Sequence, residues 1–125
     1  MTNNEIYSLI KKSMSVTVEG NKAIANNIAN VNTKDYKRHY VPFEQVMEDT
    51  AKGGLKTNDR RHISTKNGEI QVKRDTNTSM RENGNNVDIE SEMTSQAANT
   101  MMYESLVRFA SGKLNSRSKV IKGGV

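Results

Sequence analysis

The run Ala25-Asn26-Asn27-Ile28-Ala29-Asn30-Val31-Asn32-Thr33 places four Asn within the seven positions from 26 to 32. Asn is a poor helix former because its side-chain amide competes for backbone hydrogen bonds. The run therefore reads as the end of a helix. Ala25, Ile28 and Ala29 share one face, small enough for close packing, and Asn26 and Asn30 share another. The amides are suited to satisfying the open carbonyls at the helix end and in the following turn. Asn27, Asn30 and Asn32 are the residues expected to fix that end.

Upstream, residues about 3–31 read as one helix. At about 100° per residue, Ile6, Leu9, Ile10, Ile24, Ile28 and Val31 fall on one stripe. Ser13, Thr17 and Gly20 lie between them on the same stripe. Small residues there admit a second helix closely, although Gly20 costs about 1 kcal/mol relative to Ala. A helix of this kind is weak alone and is ordered by a partner.

Downstream, residues about 35–86 hold the single Pro and mixed charge. The chain must leave helix before Pro42, because the residue preceding Pro avoids the α region. Phe43-Glu44-Gln45-Val46-Met47 is expected to make a short helical turn, and Gly53-Gly54 a break. His62–Lys66 and Glu69–Lys73 alternate about Asn67-Gly68, the signal of a β-hairpin with a type I′ turn. Arg74 to Asn86 is nearly devoid of apolar residues and reads as a flexible loop.

Residues about 88–121 read as a second long helix. Asp88 is the expected N-cap, and Glu90 and Glu92 sit at the positive end of the helix dipole. Lys113, Arg117, Lys119 and Lys122 load the other end favourably, and Gly123-Gly124 stops it. The apolar face of this helix rotates. Met93, Ala97 and Met101 lie on one side, and Met102, Tyr103, Leu106, Phe109, Ala110 and Leu114 lie nearly opposite. A helix with one core neighbour keeps one stripe. A stripe that swings round fits several neighbours, as in a wall of packed subunits.

Composition agrees with a chain that borrows its core. The chain has 125 residues, 34% hydrophobic and 26% charged, with two Phe, four Tyr and no Trp. An ordinary domain is roughly 45–50% apolar with Gly counted. Ordering costs about 1–2 kcal/mol of backbone entropy per residue, so the isolated monomer is expected to be marginal. The net charge of +5 is scattered in short clusters such as Lys37-Arg38-His39 and Arg60-Arg61-His62. Nucleic-acid binders instead concentrate basic charge on a face with stacking aromatics.

Catalytic and metal chemistry find little support. The absence of Cys removes disulfides, zinc-thiolate sites and thiol nucleophiles. His39 and His62 have no second ligand at metal spacing. Gly-rich phosphate loops and the nucleophile elbow are absent. No catalytic, cofactor-binding or metal residue is assigned. No apolar run nears the roughly 18 residues that span a bilayer, and the N-terminus lacks a charged and then apolar leader.

Ala25 to Lys37, ANNIANVNTKDYK, resembles the signature of the bacterial flagellar axial proteins, the rod, hook and hook-associated families. Tyr40 to Met47, YVPFEQVM, is similar to the stretch that follows the signature in basal-body rod proteins. Gly84 to Glu90, Glu92-Met93 and Tyr103 to Arg108 with Gly112-Lys113 look like the rod-protein C-terminus. Two sibling proximal-rod families stay open on these residues. Asp35 stands where the signature usually has Gly, and Lys34 where Pro is frequent. Asp tolerates the left-handed conformation better than most residues and less well than Gly.

The resemblance implies a structural subunit of the proximal rod. It is expected to pass through the flagellar type III export apparatus without a cleaved signal peptide and to join a rod that spans the envelope. The implied partners are other rod proteins, further copies, the rod-to-MS-ring adaptor and the MS ring, with no nucleic acid and no membrane insertion. The expected fold is mainly α. Residues 1–34 form a helix and signature turn, 35–87 a mostly irregular flexible segment with a short β-hairpin, and 88–125 the second helix. The terminal helices pair, antiparallel or as a coiled coil, into one helical domain. The residues expected to pack are Ile6, Ile10, Ile24, Ile28 and Val31 from the first helix. Met93, Met101, Leu106, Val107, Phe109 and Leu114 do so from the second.

Overall fold

A reciprocal capping box starts the chain. Thr2 Oγ1 accepts the Glu5 amide at 3.3 Å, while Glu5 Oε2 accepts the Thr2 amide at 2.6 Å. Helix α1 runs from there over Asn3–Ala29. In the computed structural model, which describes residues 2–53, 70–77 and 81–123, four further elements follow. They are strand β1 at His39–Tyr40, helix α2 at Phe43–Gly53, strand β2 at Lys73–Arg74 and helix α3 at Ile89–Ile121. Among the described residues the architecture is mainly helical, with long helices at both ends and the shorter β1, α2 and β2 between them.

Each boundary has a local cause. Helix α2 begins directly after Pro42, whose carbonyl accepts the Val46 amide at 3.1 Å. It is a full helix, longer than the single turn expected after Pro42, and it ends at Gly53. Asp88 caps α3, its Oδ1 accepting the Glu90 amide at 3.0 Å. Strands β1 and β2 pair antiparallel, His39 opposite Arg74 and Tyr40 opposite Lys73. The small sheet is therefore a long-range pairing. The hairpin turn expected at Asn67-Gly68 lies outside the described residues.

The core follows one stripe of α1. Its buried residues include Ile10, Thr17 and Ile24, seven apart, and Ser13, Gly20 and Asn27, also seven apart. This is the heptad spacing of a coiled-coil seam. Val16 and Ala23 widen the stripe, Val46 joins from α2, and Val87 closes it just before α3. Two contacts set the direction of α3. Asn27 meets Glu92 at 3.0 Å, and a Cβ built on Gly20 would lie 2.8 Å from Asn99 Nδ2. Moving back seven residues on α1 moves forward seven on α3, so the two helices run antiparallel. The close approach expected at the small residues occurs at Gly20.

Candidate assembly surface

The Asn-rich end of α1 is tied to the start of α3 by a polar clasp. Asn27 is fully buried and uses its whole bonding capacity. Its Nδ2 donates to the His39 carbonyl at 2.7 Å and to Glu92 Oε2 at 3.0 Å. Its Oδ1 accepts the His39 amide at 2.8 Å and the Tyr36 hydroxyl at 3.2 Å. The other carboxylate oxygen of Glu92, also fully buried, pairs with Arg38 Nε. A buried carboxylate is tolerated only when paired and hydrogen-bonded on both oxygens.

A second buried amide completes the clasp. Asn85 Nδ2 donates to the carbonyls of Asn30 and Thr33, both at 2.8 Å, and its Oδ1 accepts the Val87 amide at 2.8 Å. The carbonyls of the C-cap Asn30 and of Thr33 in the following turn are thus satisfied by a side chain, while backbone amides meet those of Asn26, Asn27 and Ile28. Asn30 Nδ2 also returns to the Asn26 carbonyl at 2.8 Å, and Arg81 reaches the Val31 carbonyl at 3.0 Å. Asn86 Oδ1 accepts the Arg38 amide at 2.7 Å, and the Asp75 amide donates to the Arg38 carbonyl at 2.7 Å.

The turn between these groups is left-handed at two facing positions. Asp35 has φ 57° and Gly84 has φ 76°. The Asp35 amide donates to the Asn83 carbonyl at 2.9 Å, and Lys37 Nζ to the Gly84 carbonyl at 2.6 Å. A Cβ at Gly84 would run into Asp35 Oδ1. The Tyr36 phenol, half-buried beside Asn27, is held above its ordinary pKa. Burial is the larger cause and the Glu92 charge the second, with Arg74 pulling the other way.

The expected residues are not equivalent in this structure. Ile10 and Ile24 are buried, and Ile6, Ile28, Val31 and Leu106 are half-buried. Asn27 and Asn30 join the clasp, while Asn32 is exposed. Met93, Met101, Val107, Phe109 and Leu114 are exposed on α3. Met101 is 69% exposed and Phe109 53%, with Val120 and Ile121 beyond them at 79% and 77%. Glu92 is the one buried residue in the whole of α3.

Several residues of the clasp were not singled out from the sequence. Glu92 reads as a dipole residue like Glu90, and Asn85 and Asn86 fall in a stretch that reads as loop. Arg74, the first residue of that stretch, lies in strand β2, the rest of its described part is loop, and its last residues carry Asn85 into the interior. The readable sign was the pair of Asn just ahead of the Asp88 cap, which repeats the amide chemistry of the α1 end.

No family model matches the chain. The chain is similar to curated flagellar basal body rod proteins FlgB from several bacteria. With that of Bacillus subtilis it is 39% identical over 107 residues, 82% of either chain. With that of Aquifex aeolicus it is 32% identical over 117 residues, covering 93% of this chain and 92% of the relative. With that of Borreliella burgdorferi it is 32% identical over 111 residues, covering 79% and 82%.

Proposed function

The chain belongs to the FlgB family of flagellar basal body rod proteins, and from that premise we propose how it builds the rod. It is a structural subunit that assembles with other rod proteins. The clasp sets α1 and α3 as one antiparallel unit, and the exposed apolar residues of α3 supply the contacts to neighbouring subunits. Export through the flagellar type III apparatus, contacts with the MS ring and its adaptor, and passage of the finished rod through the envelope belong to the same reading. Ile6, Ile28 and Val31, half-buried in the single chain, are completed by those neighbours, and residues 1–34 and 88–125 work as one helical domain. Among the described residues no helix is long and apolar enough to cross a membrane.

One observation carries the reading. A helix of 33 residues buries a single side chain and leaves Met93, Met101, Phe109, Leu114, Val120 and Ile121 in water. Exposed apolar surface on this scale marks an interaction site, and fully burying one such side chain contributes about 1.5–3 kcal/mol. The test is Phe109→Asp in flagellated cells. Phe109 is exposed, so the fold should survive, while a charge in the interface costs several kcal/mol when unpaired. The expected outcome is normal protein level, no swimming in soft agar and no variant in isolated basal bodies. Wild-type swimming would count against the α3 surface.

A further inference from the structure

Helix α1 has a second apolar face beside the core stripe, sharing only Ile10 with it. Tyr7, Ile10, Met14 and Val18 floor a groove of about 590 Å³, bounded by Tyr103 and Ala110 of α3 and by Ile70. The floor covers about 18 Å of helix at 1.5 Å per residue. Ile10 is buried, Tyr7 and Met14 are half-buried and Val18 is 40% exposed. One cation of α1, Lys11, lines it, and the Glu19 carboxylate at its far end is neutralised by Lys22 at 2.6 Å.

Helix α3 carries the matching relief on its outward side. Met93, Ala97 and Met101 are spaced four apart, so they share one face. All three are exposed, and the face is flanked by the exposed carboxylates Glu90 and Glu104. We infer that the Met93-Ala97-Met101 stripe of one copy seats in the α1 groove of a second copy, with the Glu104 flank over Lys11. The inference rests on the rod-subunit reading and names the contact between like subunits. With the helices opposed and Met101 over Met14, Glu104 falls at Lys11 and Arg108 at the Tyr7 ring, a cation–π geometry. Ala97 then meets Val18. Met adapts to a partner surface better than branched residues, which suits a stripe that packs only after assembly.

The symmetry of this contact matters. Groove and stripe are different surfaces of one molecule, so each docking leaves a free groove at one end and a free stripe at the other. Such a heterologous contact propagates into an open array and does not close a dimer. A few helical turns bury less than the roughly 1,000 Å² of a stable interface, so the pairing takes hold in the growing rod and stays weak between free monomers.

The chain has no Cys, which makes the contact directly testable. Cells would carry the full chain as Met14→Cys, as Met101→Cys, or as a mixture of both, and their basal bodies would be mildly oxidised. The mixture should give a disulfide-linked dimer at least tenfold above either variant alone. Lys11→Glu should cut incorporation about two- to fivefold, the range of one exposed ion pair, and Lys11→Glu with Glu104→Lys should restore it. Variants that enter basal bodies but give no excess dimer in the mixture, or no rescue by the charge exchange, overturn this contact and leave the rod reading standing. Absence of the unmodified chain from basal bodies overturns the rod reading and the contact with it.

Discussion

Glu92 shows what a single residue does here. Its carboxylate holds Arg38 on one oxygen and Asn27 on the other, with no exposure to water. Removing one partner of a buried pair costs about 3–5 kcal/mol, because the remaining groups stay desolvated. Arg38 keeps 28% of its side chain exposed and partly rehydrates, which lowers the cost. Glu92→Ala is expected to lose about 3 kcal/mol, read as a lower midpoint in urea and a weaker helical signal in the isolated chain. Glu92→Gln, which keeps an acceptor for Asn27, should lose about half of that. An unchanged midpoint in both variants would show that the clasp contributes nothing to stability. The same neighbourhood explains how Asp35 stands in a position with φ 57°. Its amide is bonded to Asn83, and it faces a Gly84 that lacks a Cβ.

At the scale of elements, the pairing of α1 and α3 is decided where the seam is smallest. Gly20 removes a side chain so that Asn99 can approach, and a Cβ there would lie 2.8 Å from Asn99 Nδ2. That contact is with the end of a flexible side chain. Gly20→Ala should therefore be nearly neutral, since about 1 kcal/mol of helix propensity offsets the displacement of Asn99. Gly20→Leu forces the helices apart and is expected to cost about 1–3 kcal/mol. Gly20→Ala with Asn99→Ala should melt higher than the parent by thermal circular dichroism. A melt no higher than that of the parent would mean that Asn99 does not set the spacing. The outward positions of both helices matter as much as the seam, because α1 keeps a groove and α3 an apolar stripe beyond their mutual contact.

The whole molecule is organised with one tight end and one open one. The clasp joins residues 27–39, 81–87 and 92 through buried amides and a buried ion pair. The far half of α3 ends in exposed Leu114, Val120 and Ile121. Contacts formed only in the assembly add to stability by mass action, and regions with few buried contacts open most readily. Mixing the purified chain with other rod proteins should therefore raise its helical signal and its melting temperature. A sharp, high transition in the isolated chain that does not move on mixing would place the missing contacts inside the monomer.

The helices and their ends were legible in the sequence. The periodicity of residues 3–31 and 88–121 predicts helix, and Asn3–Ala29 and Ile89–Ile121 are helical. Periodicity, caps and a rotating apolar face are local signals, carried within a few turns of chain. The sheet and the clasp were not legible, because they join residues far apart, such as Asn27 with Glu92 and Arg38 with Asn86. Glu90 and Glu92 stand two positions apart in the same first turn of α3 and look alike as letters. One is exposed and the other is fully buried. Only the direction in which α3 lies against α1 separates them, since that packing alone decides which carboxylate loses its water and must find an arginine and an amide in its place.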